Sequence, residues 1–202
     1  MVDQKINFND GAAYEQMMGV WSRFAGQIFL DWWNPSPGLR WIDIGCGNGA
    51  FTELLVERCS PADIQGIDPS EEQLAFARTR PASRLATFQR GDVMALPFAD
   101  GSFDAAVMAL VLVFVPDPAK GVSEMVRVVR PGGAVATYMW DMLGGGFPLD
   151  PIYEEIQAMG IVPLRAPRMD ASRMDALRDL WTGAGIEDVQ TREITVRRTF
   201  AN

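Results

Sequence analysis

Trp41-Ile42-Asp43-Ile44-Gly45-Cys46-Gly47-Asn48-Gly49-Ala50-Phe51 is an apolar run that ends in a glycine-rich turn and opens into a helical segment. Glycines are needed where backbone must adopt permissive φ/ψ and approach a nucleotide-like ligand without intervening side chains. Gly45-x-Gly47-x-x-Ala50 also satisfies the dinucleotide fingerprint, so a nicotinamide dinucleotide is one candidate ligand at this stage. About twenty residues on, Ile64-Gln65-Gly66-Ile67-Asp68 closes a second apolar run with an acid that can accept two hydrogen bonds from ribose hydroxyls. Asp68 is not needed to start the next helix, because Ser70 and Gln73 already form a capping box. A third acid, Asp92 in Gln89-Arg90-Gly91-Asp92-Val93-Met94, follows a third apolar run. Acids at the ends of successive parallel strands gather at one edge of the sheet, where open α/β folds bind ligands.

Other chemistry is removed by composition. Histidine is absent from the 202 residues, which eliminates the commonest general base, the commonest metal ligand and the Ser/His and Cys/His dyads of hydrolases. Cys46 and Cys59 are too few for a disulfide framework or zinc site, no metal-ligand cluster is visible, and a reducing compartment is expected. A net charge of -8, from 18 Lys+Arg against 26 Asp+Glu, argues against nucleic acid as a partner. Residues 1–9 lack the basic start and apolar run of a signal peptide, and no uninterrupted apolar run of about eighteen residues occurs. The expectation is a cytoplasmic protein with no membrane span.

The elements that must position these residues follow from period and punctuation. Short apolar runs alternate with longer amphipathic ones, the signature of βαβ units and of an α/β fold with a doubly wound, mostly parallel sheet. Strands are predicted at 40–44, 63–67, 86–90, 103–109, 134–140 and 187–198, and helices at 12–33, 49–58, 70–80, 118–129 and 170–184. Asn34-Pro35-Ser36-Pro37-Gly38 ends the first helix, and Leu143-Gly144-Gly145-Gly146-Phe147-Pro148 makes a break that suits a substrate-side loop. One domain is expected over 1–202: an N-terminal lid helix at 1–38, a cofactor-binding core at 39–140, a substrate-side insertion at 141–170 and a last helix and strand at 171–202.

In order along the chain, Asp43-Ile44-Gly45-Cys46-Gly47-Asn48-Gly49, Asp68, Gly91-Asp92-Val93 through Leu96-Pro97-Phe98-Ala99-Asp100-Gly101-Ser102-Phe103-Asp104, Val113-Phe114-Val115-Pro116-Asp117-Pro118 and Glu124-Met125-x-Arg127-Val128-x-Arg130-Pro131-Gly132-Gly133 resemble the class I S-adenosylmethionine-dependent methyltransferases. The resemblance is to their small bacterial type, similar to the ubiquinone and menaquinone biosynthesis enzymes (methyltransferase type 11 domain), and runs from about residue 14 to about residue 198. It implies a Rossmann-like fold, S-adenosyl-L-methionine as cofactor and methyl transfer to a small-molecule acceptor. Gly45, Cys46 and Gly47 would then approach the methionine part, Asp68 the ribose, Asp92 and the Val93 backbone the adenine amino group, with Pro69 and Met94 packing the ring. Ala109 and Leu110 would pass beneath the sulfonium, and the N-terminal helix would close over the cofactor with Tyr14, Met18, Trp21 and Ser22.

Two departures from the family bear on mechanism. Many relatives carry histidine where this chain has Leu112-Val113-Phe114, so methyl transfer must rest on in-line alignment in a dry pocket. Any general base would be Asp141, with Tyr138 and Tyr153 as further candidates. Members of this fold also end on a sixth and an antiparallel seventh strand, whereas here one strand candidate remains, alternating Ile194 and Val196 with Thr195 and Arg197. Either the chain is a shortened piece or its sheet is incomplete, and an unpaired edge would favour a homodimer. The apolar stretch 141–168 suits a hydrophobic or aromatic acceptor. Two other readings stay open: an NAD(P)-dependent oxidoreductase, which leaves Asp43, Asp92 and Arg130-Pro131-Gly132-Gly133 unexplained, and a non-catalytic S-adenosylmethionine-binding module.

Overall fold

The structure, a computed structural model, describes residues 15–199. Its centre is β1 (Arg40–Ile44), buried from Trp41 to Ile44 because it is covered on both faces, as the strands of a parallel sheet are. Around it stand β2 (Asp63–Asp68), β3 (Thr87–Arg90), β4 (Phe103–Ala109) and β5 (Val129–Tyr138) in the order β3-β2-β1-β4-β5, every pairing parallel. This is the Rossmann-like arrangement expected, and the strand order reverses between β1 and β4.

The helices are α1 (Val20–Trp33), α2 (Ala50–Cys59), α3 (Glu71–Ala77), α4 (Pro118–Val128), α5 (Asp150–Ala158) and α6 (Met174–Gly183). Local chemistry sets their ends. Asn34 takes a left-handed φ of 49° and returns its N–H to the Leu30 carbonyl, ending α1 at the predicted break. The Ser70 hydroxyl accepts from the Gln73 N–H at 3.3 Å at the head of α3, and Asp117 accepts from the Lys120 N–H at 3.1 Å at the head of α4. Two apolar layers follow from strand alternation. Ile42, Ile44, Ala106 and Met108 face α4 and α6, while Trp41, Ala105 and Val107 face α1 and α2. Each such aliphatic side chain contributes roughly 1.5–3 kcal/mol on burial.

Several expectations need correction. The predicted terminal strand does not form: residues 187–199 carry no ladder pairing. Ile186 and Val189 pack with one layer and Ile194 and Val196 with the other, so the segment crosses from one face of the sheet to the other. Its alternation reflects apolar side chains docked without a partner strand. The expected dimer edge therefore loses its strand, and the edges of the sheet are β3 and β5. β5 begins at Val129 rather than residue 134, because Val129 already pairs with Phe103 before the register shifts across the Arg-Pro-Gly-Gly bend. In the 12–33 helix, residues 12–14 lie outside the described residues, and Glu15–Gly19 forms a π-helical turn that leads into α1. α3 ends three residues early, α6 starts after a 3-10 turn at Met169–Ser172, and α5 was not anticipated.

Candidate active site

A cleft of about 750 Å³ opens at the carboxyl ends of the strands, where the strand order reverses. The turn after β1 forms one wall. Gly45 (φ +73°) and Gly47 (φ +51°) take conformations that side chains rarely adopt. A Cβ on Gly45 would come within 2.6 Å of Val111, so glycine is required for the β1 turn to pass the β4 turn. A Cβ on Gly47 would meet no atom within 4 Å, so the space beside that backbone is open.

Three aspartates line the cleft, each held differently. Asp68 accepts from the Gly47 N–H through Oδ2 and from the Ser70 N–H through Oδ1, both at 2.9 Å. Burial raises its carboxyl above the ordinary value, and these two N–H bonds pull it back. Asp92 is exposed and accepts from the Met94 N–H at 2.9 Å, which curls the loop after β3 towards the cleft. Asp43 is fully buried: Oδ2 accepts from the Thr52 hydroxyl at 2.6 Å and Oδ1 has no partner. Burial pushes its carboxyl up to about 7, against the pull of Thr52 and with a small addition from the Asp68 charge.

Gly45, Cys46, Gly47, Asp68 and Pro69 line the first wall, Asp92, Val93 and Met94 the second, and Ala109 and Leu110 the floor. Leu110 is a non-glycine residue at φ +62°, held there by its N–H to the Tyr138 carbonyl at 2.9 Å. Met18 and Ser22 line the cleft from the N-terminal side. That side is tied down through Arg80, which donates to Glu15 at 2.6 Å, Glu53 at 2.9 Å and the Asn48 carbonyl at 2.6 Å. Trp21 is not in the lining, its ring facing the Arg198 guanidinium at 5.9 Å, and Tyr14 lies outside the described residues. Asp141 is also outside the lining. Its carboxylate accepts from the Leu143 N–H at 3.3 Å and the Gly144 N–H at 2.7 Å, the self-capping turn that Asp before glycines favours. Tyr138 and Tyr153 do reach the cleft.

Residues 42–137 match the family profile described as a methyltransferase domain. The solved S-adenosylmethionine-dependent methyltransferase of Thermotoga maritima superposes with a TM-score of 0.67 at 26% identity, covering 90% of this chain and 80% of that one. This stretch is therefore similar to a methyltransferase domain, and the fold around it to a solved S-adenosylmethionine-dependent methyltransferase. Demethylmenaquinone methyltransferase of Desulfitobacterium hafniense (strain Y51) is 41% identical to this chain over 106 residues, 50% of this chain and 42% of that protein. The chloroplastic 2-methyl-6-phytyl-1,4-hydroquinone methyltransferase 2 of Oryza sativa subsp. japonica is 39% identical over 95 residues, 47% of this chain and 27% of that protein. The chain thus matches less than half the length of these relatives.

The residues of the cleft fit S-adenosylmethionine. An open glycine turn, a buried carboxylate oxygen without a partner at Asp43 and spare acceptor capacity on Asp68 and Asp92 suit a ligand rich in amino and hydroxyl donors. Sequence reasoning gave Asp43 no role in the site, although an acid within the apolar run Trp41–Ile44 was its signal. The Glu124 to Gly133 signature is instead structural. Glu124 accepts from the Leu96 N–H at 2.9 Å, and Arg127 donates to the carbonyls of Leu96 at 3.0 Å and Phe98 at 2.8 Å, which pins the loop after Asp92. Arg130 pairs with Asp104 at 2.6 Å.

Proposed function

We propose that the protein transfers a methyl group from S-adenosylmethionine to a small aromatic or apolar acceptor. The observation that carries this reading is the continuity of the cleft. One half is built from the glycine turn and the strand-end acids, and the other from Val113, Phe114, Trp140, Met142, Phe147 and Tyr153. Of the acceptor half, Met142, Phe147 and Tyr153 come from the expected insertion at 141–170, whereas Val113, Phe114 and Trp140 come from the segment 39–140.

In this reading the Gly45–Gly47 backbone and Asp43 hold the amino acid end of the cofactor, Asp68 the ribose, and Asp92, Val93, Pro69 and Met94 the adenine. Ala109 and Leu110 support the reacting centre from below, and Met18 and Ser22 cover it. The bound cofactor supplies an electrophilic methyl group on a sulfonium. The chain's own contribution is alignment and dryness: apolar side chains of the acceptor half exclude water, and fixed backbone holds the nucleophile in line. An acceptor bound as a phenolate would need no general base, in keeping with a lining that holds no histidine, whereas the proton of a neutral phenol would have to pass to water or to a carboxylate of the cleft. The aromatic acceptors in the names of the relatives support the same class.

The test is a panel of phenols and hydroquinones incubated with cofactor carrying a labelled methyl group. Labelled product is expected from aromatic members with apolar substituents. Transfer confined to non-aromatic, polar acceptors would contradict the assignment.

A further inference from the structure

Among the described residues, six charged side chains line the cleft. Asp43, Asp68, Glu72 and Asp92 belong to the cofactor half. Arg23 donates to the exposed Glu57 at 2.6 Å. Arg165, in the acceptor half, is placed differently from both sets.

The Arg165 side chain retains 30% of its exposure. Its guanidinium lies over the Tyr153 ring at 5.3 Å and is ion-paired with Asp150 at 3.6 Å, a separation beyond hydrogen-bond reach. No acceptor among the described residues therefore takes any of its five N–H groups. Its backbone is fixed nonetheless. Neighbouring Ala166 is buried with Val113 and Met142, and the Arg168 N–H bonds the Val113 carbonyl at 3.0 Å. Tyr153, which supports the guanidinium, meets the Phe147 ring at 5.7 Å. A planar cation is thus held in a largely apolar chamber with its donors unspent.

We propose that Arg165 selects the acceptor and that the acceptor is an aromatic carboxylate, its carboxylate gripped by the guanidinium and its ring lying among the apolar side chains. This rests on the methyl-transfer reading and deepens it. A guanidinium fork matches a carboxylate with two parallel hydrogen bonds, and these strengthen where water is excluded. The stacking on Tyr153 and the fixed backbone reduce the entropy lost on binding. A protein of net charge -8 repels anions at long range, so a site for one needs a local cation of this kind. Asp150 shares the Arg165 charge and opposes an incoming anion, which makes it a tuning group.

The test is calorimetric titration of the protein saturated with S-adenosylhomocysteine, using 4-hydroxybenzoate and its neutral counterpart 4-hydroxybenzamide as probes. The acid should bind about tenfold or more tighter than the amide. Arg165→Gln should abolish that preference while S-adenosylhomocysteine affinity stays unchanged, Arg165→Lys should retain part of it, and Asp150→Asn should enlarge it. A merely structural Arg165 would leave the acid-to-amide ratio where it was in all three variants. Equal binding of acid and amide, a preference that survives Arg165→Gln, or no binding of either probe at millimolar concentration overturns the assignment. Failure of S-adenosylhomocysteine itself to bind overturns the methyl-transfer reading instead.

Discussion

Asp43 is the least comfortable residue of the cleft. It stands within an otherwise apolar strand, one oxygen bonded to Thr52 and the other unpartnered, and burial holds its carboxyl near 7 rather than the ordinary 3.8. Because the folded-state value is raised, its stabilising contribution is complete below pH 3.8 and is lost as pH rises through about 7. Asp43→Asn cannot ionise, so its thermal midpoint relative to the wild type should climb across that window, as calorimetric scans over pH would show. Parallel curves for the two proteins would mean that the carboxyl is not perturbed. At this scale the sequence was legible where function follows from neighbours in the chain. Gly45, Gly47, Asp68 and Asp92 were found from local motifs, and all line the cleft. Asp141, named as the candidate base, lies outside the lining, because an Asp before glycines serves a loop base and a self-capped turn equally well until the chain's path is known.

Among the elements, α4 and the loop after β3 depend on one pair. Glu124 takes hydrogen bonds from the Leu96 N–H, Lys120 and Arg127, and this holds its carboxyl down at about 2, with Arg127 the main cause. Arg127 in turn grips the loop carbonyls. Removing Glu124 leaves that arrangement without its centre. Glu124→Gln should cost about 2–3 kcal/mol, below the roughly 3–5 kcal/mol of a fully buried pair because Arg127 keeps 31% of its exposure. Urea denaturation would measure it. Since the Glu124 carboxyl is depressed, its contribution is full above pH 4.5 and lost as pH falls towards 2, so the gap between variant and wild type should close in acid. Unchanged stability would show that the signature does not pin the loop. The strands were readable from alternation and apolar runs, because those patterns are local. α5 was missed because it buries no side chain and so carries no core-facing stripe, and the segment at 187–199 was misread because docked apolar residues can alternate without a strand partner.

At the scale of the whole molecule, the order β3-β2-β1-β4-β5 puts the β1 and β4 turns side by side, and the cleft exists because of that reversal. α/β alternation in the sequence was enough to anticipate the sheet. Which distant segments would close over it was not, since the placement of Arg165 beside Tyr153 and the Arg80 tie between Glu15, Asn48 and Glu53 depend on tertiary contacts that no period encodes. No helix among the described residues is long and apolar enough to cross a membrane. The central claim, that the cleft takes S-adenosylmethionine rather than a nicotinamide dinucleotide, is tested most directly by calorimetric titration with S-adenosylhomocysteine and, separately, with NAD. Micromolar binding of S-adenosylhomocysteine, weakened by about 1.5–3 kcal/mol in Asp68→Ala, is the expected result. Binding of NAD alone, or S-adenosylhomocysteine affinity indifferent to Asp68→Ala, would contradict it.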